Sequence, residues 1–321
     1  MILSKDNTHE FDVIRSPDHI EKVWAAIEAT LPRYWNLFVE KESTKEPSSK
    51  LATHFSVKSS KGSTATAKAF AQAVSTYEKA ATKYRDFFSD EAIEEFADDP
   101  NTFKSHLARE VPVIAGTLNQ RRPELQEWQR DFRITRGKDL LEVFANVLDF
   151  RSEWTSKHPE AVYQKHDELG AFGLDPLDDD ESMRVDSVVG MGIKSIVLYH
   201  LDARVFPQRA RTDLYGLYFL SDMKDFGLPS HSSEFLMIND REPASNGSLI
   251  MDHNFWYPYG LFSLYALRIY RWLDKKVQSE HGALDSTVRY VYVTQFLASV
   301  CSEHTEHMKV MRAHDRFGVP A

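Results

Sequence analysis

Apolar residues recur every three to four positions along most of this chain, the spacing by which an α-helix buries one face. From Asp18 to Phe38 the pattern runs Ile20, Val23, Trp24, Ile27, Leu31, Trp35, Phe38, with Ser16-Pro17-Asp18 as a start signal. Pro32 falls inside that pattern and is expected to kink or end the helix, because its ring removes a backbone donor. Thr64 to Phe88 is rich in alanine, with Phe70, Val74, Tyr77, Ala81 and Tyr84 on one stripe. Between these two helices, Glu40 to Ser63 is rich in Ser, Thr and Lys and reads as a surface loop. Asp90–Phe96, Phe103–Val111 and Asp139–Phe150 add further helices, and Leu214–Leu220 another. Tyr259–Val277 and Ser286–Met311 read as two long C-terminal helices, although Val288–Thr294 has enough β-branched and aromatic content to suit a strand. Phe235–Ile238 and Ser248–Met251 read as short strands or irregular chain. The expected fold class is therefore mainly α.

At 321 residues the chain can hold one large domain or two ordinary ones, and a division into 1–120 and 121–321 is expected. Hydrophobic residues make up 42% of the chain and charged ones 27%, as in globular proteins, and no apolar run approaches the length of a membrane span. The first residues lack the basic region and apolar core of a signal peptide. The single cysteine, Cys301, excludes an internal disulfide framework and an all-cysteine iron–sulfur site, so a reducing cytoplasm is the expected location. A net charge of -9 argues against a protein that coats nucleic acid non-specifically, but leaves room for one local basic face. Arg121, Arg122, Arg130, Arg133, Arg136 and Lys138 are close in sequence and interleaved with Trp128 and Phe132. Glu124, Glu127 and Asp131 fit an ordinary salt-bridged helix surface equally well.

The most chemically suggestive stretch is Val188-Val189-Gly190-Met191-Gly192-Ile193-Lys194-Ser195, followed by an apolar run to Leu201, Val205-Phe206-Pro207 and Thr212-Asp213. Two glycines between apolar flanks describe a tight turn joining two short helices, since glycine tolerates φ > 0 and lets another backbone come close. Amide N–H groups exposed beside the second helix attract phosphate. Over roughly thirty residues this resembles the helix-hairpin-helix element of the DNA glycosylase superfamily that includes endonuclease III. Gly190, Met191, Gly192, Lys194 and Ser195 match the family's Gly-apolar-Gly-x-Lys-Thr/Ser, while Ile196 stands where alanine is usual.

The resemblance implies that Gly190, Gly192, Ser195, Arg204, Arg209 and Arg211 contact DNA and that Lys194 is the amine that attacks the sugar in bifunctional members. Such an amine must be neutral, which requires desolvation or neighbouring cations. The family's aspartate falls on Arg209 when Pro207 is aligned and on Thr212 when residues are counted without a gap. One extra loop residue brings Asp213 into that role, as a carboxylate that stabilises a cationic sugar or activates water. Ahead of a long helix, His253, Asn254, Trp256 and Tyr257 are candidates for a pocket that stacks and reads an extruded base. The same aromatics also suit a helix anchored into a core. Cys301, His304, His307 and His314 fit no closed zinc set, so no metal and no cofactor are expected.

The reading that follows is a DNA-binding base-excision glycosylase, with or without lyase activity, whose partner is DNA and not a membrane. A non-catalytic helix-hairpin-helix protein and a helical interaction or defence protein with a purely structural turn are the alternatives. If Asp213 does not face a cleft, Glu234 and Asp252 are the next carboxylates to consider.

Overall fold

The helical spacing is realised nearly throughout in a computed structural model, which describes residues 8–44, 61–121, 125–228, 233–235, 238–239, 250–251 and 257–306. In chain order the helices are α1 (Thr8–Ile14), α2 (Pro17–Thr44), α3 (Lys61–Phe87), α4 (Asp90–Ala97), α5 (Pro100–Glu110), α6 (Pro112–Asn119) and α7 (Gln126–Ile134). They continue as α8 (Gly137–Lys157), α9 (Glu160–Tyr163), α10 (Asp175–Asp179), α11 (Met191–Leu201), α12 (Arg211–Leu220), α13 (Tyr259–His281) and α14 (Arg289–Glu303). The fold is mainly α. The strand expectation reduces to β1 (Ile238–Asn239) and β2 (Ile250–Met251), paired antiparallel.

One expectation about helices is corrected. Pro32 does not end α2, which runs on to Thr44. Losing one backbone hydrogen bond costs the helix about 3 kcal/mol. The same face is buried on both sides of the proline, by Ile20, Val23, Ile27 and then Leu31, Tyr34, Trp35 and Phe38, and this burial outweighs the loss. The helix expected over the β-branched run holds from Arg289 onward in α14, where Tyr290, Val291, Val293, Phe296 and Leu297 are buried in the core.

Buried side chains form two clusters. In the larger, α2, the N-terminal half of α3 and the sequence-distant α11–α14 share one core. In the smaller, the end of α3 (Tyr84, Phe87) packs with α5, α6, the first half of α8 and one face of α11. Neither cluster is confined to 1–120 or to 121–321. Lying between them, α11 is buried on nearly every side, with Leu198 and Tyr199 in one cluster and Ile196 and Val197 in the other. A helix that is apolar all round belongs in such a position. α12 reaches α14 at Gly216, where a Cβ would sit 2.8 Å from that of Leu297, so only glycine permits the approach.

Candidate functional site

Residues 184–189, immediately before Gly190, form no helix, which corrects the expected pair of helices. Val185 and Val189 form an antiparallel bridge around a tight turn with Ser187 at φ 60. Turn formers Asp186 and Ser187 between β-branched valines favour that closure over a helix. Trp128 of α7 fixes the turn from outside by donating Nε1–H to the Val188 carbonyl at 2.9 Å.

What the glycine pair does form is the start of α11. Gly190 is extended (φ -105, ψ -175) and supplies no side-chain cap. Both Gly190 and Gly192 are exposed, and a Cβ on either would meet nothing within 4 Å. Glycine in a helix costs up to about 1 kcal/mol relative to alanine. At Gly192 no packing within the chain requires that cost. The surroundings carry mixed charge. Arg184 is paired with Glu181 at 3.0 Å and Asp186 at 3.3 Å, and Asp179 and Asp180 are exposed nearby in sequence.

Beneath the turn lies a buried polar node built by α10, α11, the 207–210 loop and the start of α13. Lys194 is 2% exposed and donates to the Leu177 carbonyl. Burial pushes its ammonium down to about 8, opposed by the charge of Asp178 and reinforced by Arg209 and Arg184. Asp178 is only partly buried as a residue, but its carboxylate faces inward and accepts from the Tyr259 amide at 2.7 Å. Burial raises that carboxyl to about 6, moderated by Arg209, by the Tyr259 amide and by Lys194. Arg209 occupies the position of the family's acid when Pro207 is aligned. It is buried, donates Nη1–H to the Tyr257 carbonyl at 2.7 Å, and its amide reaches Ser195 Oγ at 3.3 Å. Ser195 Oγ in turn donates to the Gly192 carbonyl at 3.1 Å, so its hydroxyl is directed along α11.

Asp213 is 1% exposed and serves the first turn of α12. Its Oδ2 accepts from the Ala210 amide at 3.0 Å and from Gln208 Nε2 at 3.2 Å. Burial raises its carboxyl to about 7, against the effect of the bonds from Gln208 and Ala210. The structure thus brings Lys194, Ser195 and Arg209 together with Asp178, while Asp213 turns to Gln208 and the helix start. Neither Lys194 nor Asp213 faces solvent, the geometry of groups that hold a junction together rather than meet a sugar.

The remaining basic candidates are largely committed to acids. Arg204 pairs with Asp202 at 3.1 Å, Arg130 with Asp131 at 2.9 Å and Arg136 with Asp139 at 2.7 Å. Arg211 is part-buried in the first turn of α12. His253, Asn254, Trp256, Asp252, Arg122, His307 and His314 lie outside the described residues. Cys301 donates to the Thr212 carbonyl, and His304 stacks on Phe219 with ring centres 3.9 Å apart. Among the described residues no group of three His, Cys, Asp or Glu side chains is placed to hold a metal.

A second polar centre joins residues that no local pattern links. His19 Nε2 of α2 lies 2.5 Å from Glu234 Oε2 across 215 positions of sequence, and both side chains are buried. Burial pushes the Glu234 carboxyl up, against the pull of His19 and Lys22. Tyr257 packs beside it on Phe235, with ring centres 5.3 Å apart. Tyr265, nearly two turns into α13, is within electrostatic range of the same carboxylate. His19 and Tyr265 carry no signal in the sequence, since each reads as one more member of an amphipathic helix.

Compared with known proteins, the chain matches no family model, no curated protein and no solved structure. No described helix is long and apolar enough to cross a membrane.

Proposed function

We propose that the protein binds nucleic acid through the N-terminus of α11, keeping the phosphate-contacting part of a helix-hairpin-helix element without its chemistry at Lys194 and Asp213. One observation carries this reading: Gly192 sits exposed in the first turn of α11, where no neighbour requires glycine. The absence of a side chain there benefits only something arriving from outside. Unfilled amides at a helix start carry partial positive charge and fit a phosphate oxygen. The base-excision form of the reading needs an accessible amine or carboxylate, and the burial of Lys194 and Asp213 weighs against it.

Because the chain has a net charge of -9 and Arg184 is already paired with acids, few phosphates are neutralised. Binding is then modest in strength, with a shallow salt slope of roughly one to two in log K against log salt.

Fluorescence anisotropy with labelled single- and double-stranded DNA at low salt tests the reading. Gly192→Asp places a negative charge at the phosphate position, and binding is expected to fall at least about tenfold, the equivalent of 1.4 kcal/mol. The fold is not expected to suffer, since an aspartate in the first turn of a helix is electrostatically favourable. Lys275→Asp, exposed on the C-terminal half of α13, changes more charge and serves as the control. No binding by the wild type, or equal loss in both variants, overturns the proposal.

A further inference from the structure

No residue of α4 is buried, although one side of the helix is apolar. Ala92, Ile93 and Phe96 form that side and are only half-buried. Phe96 rests on Phe87 and Phe103, with ring centres 5.6 and 5.4 Å apart. Beside it an open groove of about 480 Å³ lies between the end of α3, α4 and the end of α5, in the size range of ligand clefts. Phe87, Ala92 and Phe96 give the groove its apolar lining.

Charge on this face is one-sided. From Asp86 to Asp99 the chain has seven acids and no lysine or arginine, and all seven acids are exposed. Two cations reach the groove, Lys83 and Arg109, and Arg109 is bound to Glu110 at 2.7 Å. Arg85, the next cation along α3, is held by Glu78 at 2.8 Å, so among the described residues no ion pair engages Asp86, Asp90, Glu91, Glu94 or Glu95. Asp86 lines the groove, and Glu95, three residues after Ala92, borders the same side of α4. Both acids oppose the helices that carry them. Asp86 is in the last turn of α3 and Glu95 in the last turn of α4, where the carbonyl ends favour a cation. Asp90 with Glu94, and Glu91 with Glu95, add like-charge pairs one turn apart. Neither placement helps the fold, and both suit a partner that brings cations.

A nucleic acid is repelled by these acids, and a second copy of a chain of net charge -9 is repelled as a whole. A basic amphipathic peptide segment fits both the lining and the charge. We propose that the groove between α3, α4 and α5 docks such a segment of a partner protein, with an apolar side chain seated on Phe87, Ala92 and Phe96 and its cations facing Asp86 and Glu95. The groove is built on helices other than α11, so the proposal stands or falls independently of nucleic-acid binding.

Fluorescence anisotropy of a labelled peptide alternating pairs of lysine and leucine, titrated with the full chain, tests it. The titration is run at about 0.1 M salt, where exposed charges more than roughly 10 Å apart are largely screened. A serine-for-leucine peptide keeps the charge, and a glutamate-for-lysine peptide keeps the apolar face. The lysine–leucine peptide is expected to bind saturably, the serine one at least about tenfold more weakly, and the glutamate one not at all. Asp86→Lys with Glu95→Lys is expected to weaken binding at least about tenfold without loss of helix, since each puts a cation where the helix end favours it. Glu28→Lys with Glu168→Lys makes the same change of charge at exposed sites outside the groove and is expected to leave binding within about twofold. Ala92→Phe fills the groove, keeps every charge and is expected to weaken binding about fivefold or more. No saturable binding by the wild type, equal binding of the serine peptide, equal loss in the Glu28→Lys, Glu168→Lys control, or full binding by Ala92→Phe overturns the proposal. Self-association of the wild type in sedimentation, abolished by Asp86→Lys with Glu95→Lys, overturns it in favour of a second copy. Circular dichroism checks that each variant folds, and the three peptides on the wild type decide the matter if one does not.

Discussion

The two buried polar centres differ in how far the protein satisfies them. Around Lys194, Asp178, Arg209 and Asp213 each charged group is engaged from within the chain: by the Leu177 carbonyl, the Tyr259 amide, the Tyr257 carbonyl, and the Ala210 amide with Gln208. Around Glu234 one pair is made, with His19, and three oxygens are left open. Both centres carry shifted carboxyls for the same reason, burial. The shift alone therefore does not distinguish a structural charge from a functional one. Hydrogen bonding separates them only in degree: each charged group of the first centre keeps at least one bond from within the chain, whereas three oxygens around Glu234 have none.

The largest expected effect tests whether the first centre is structural. Arg209→Met leaves the Asp178 carboxylate without its main counter-charge and the Tyr257 carbonyl without a donor. Breaking a buried pair from one side costs about 3–5 kcal/mol. Urea denaturation should show that loss in the midpoint, and an Arg209→Met protein as stable as the wild type would break the comparison.

Next in size is a pH effect at Asp213. Its carboxyl is raised to about 7 in the folded chain, from the ordinary 3.8 that it keeps in the unfolded one. Between those values the folded chain holds a proton that the unfolded chain has released, so stability falls as pH rises through that window. Relative to Asp213→Asn, the wild type should lose about 2–3 kcal/mol from pH 5 to pH 8. The shift of Lys194, down to about 8, has the opposite sign in alkali. Its unfolded form binds more protons between about 8 and 10.5, so stability recovers as pH rises there. Taking each variant against the wild type removes the contribution of His200, which burial lowers to about 4. A flat difference for Asp213→Asn would mean that its carboxyl is not buried.

The smallest effect sharpens the contrast most. Tyr84 accepts the Val113 amide at 3.1 Å, and Tyr84→Phe leaves that amide unpaired, at a cost of about 1–2 kcal/mol. Tyr257→Phe and Tyr265→Phe remove hydroxyls with no partner and should change stability by less than about 0.5 kcal/mol, or raise it. If all three cost the same, the open oxygens near Glu234 are filled by ordered water, and the two centres do not differ in kind.

Much of the helical content was legible because apolar periodicity is local. The stripes Ile20–Phe38 and Phe70–Tyr84 appear in the structure as the buried faces of α2 and α3. The errors arose where a local preference met a tertiary demand. Pro32 favours a break, but the core needs the same face on both sides of it. The strand-like content of Val288–Thr294 did not mislead in the same way: the helix expected there holds, and α14 packs on α12 at Gly216. The Gly190–Gly192 pair correctly marked a helix start, while the helix expected before it is a bridged turn. Glu234 and Tyr257 were visible as candidates. Their partners His19 and Tyr265 were not, because nothing along the chain marks residues that meet only after folding.

The sequence by itself determined that this chain is mainly α, where its main helices lie, and that one helix opens on two glycines. Each of these follows from residues within a few turns of one another. Only the tertiary structure decided that Lys194 and Asp213 are enclosed, that Arg209 meets Asp178, and that a buried carboxylate lies within electrostatic range of two unbonded tyrosines. Those outcomes depend on solvent exclusion and on hydrogen bonds between helices remote in sequence, and neither exists until the helices pack.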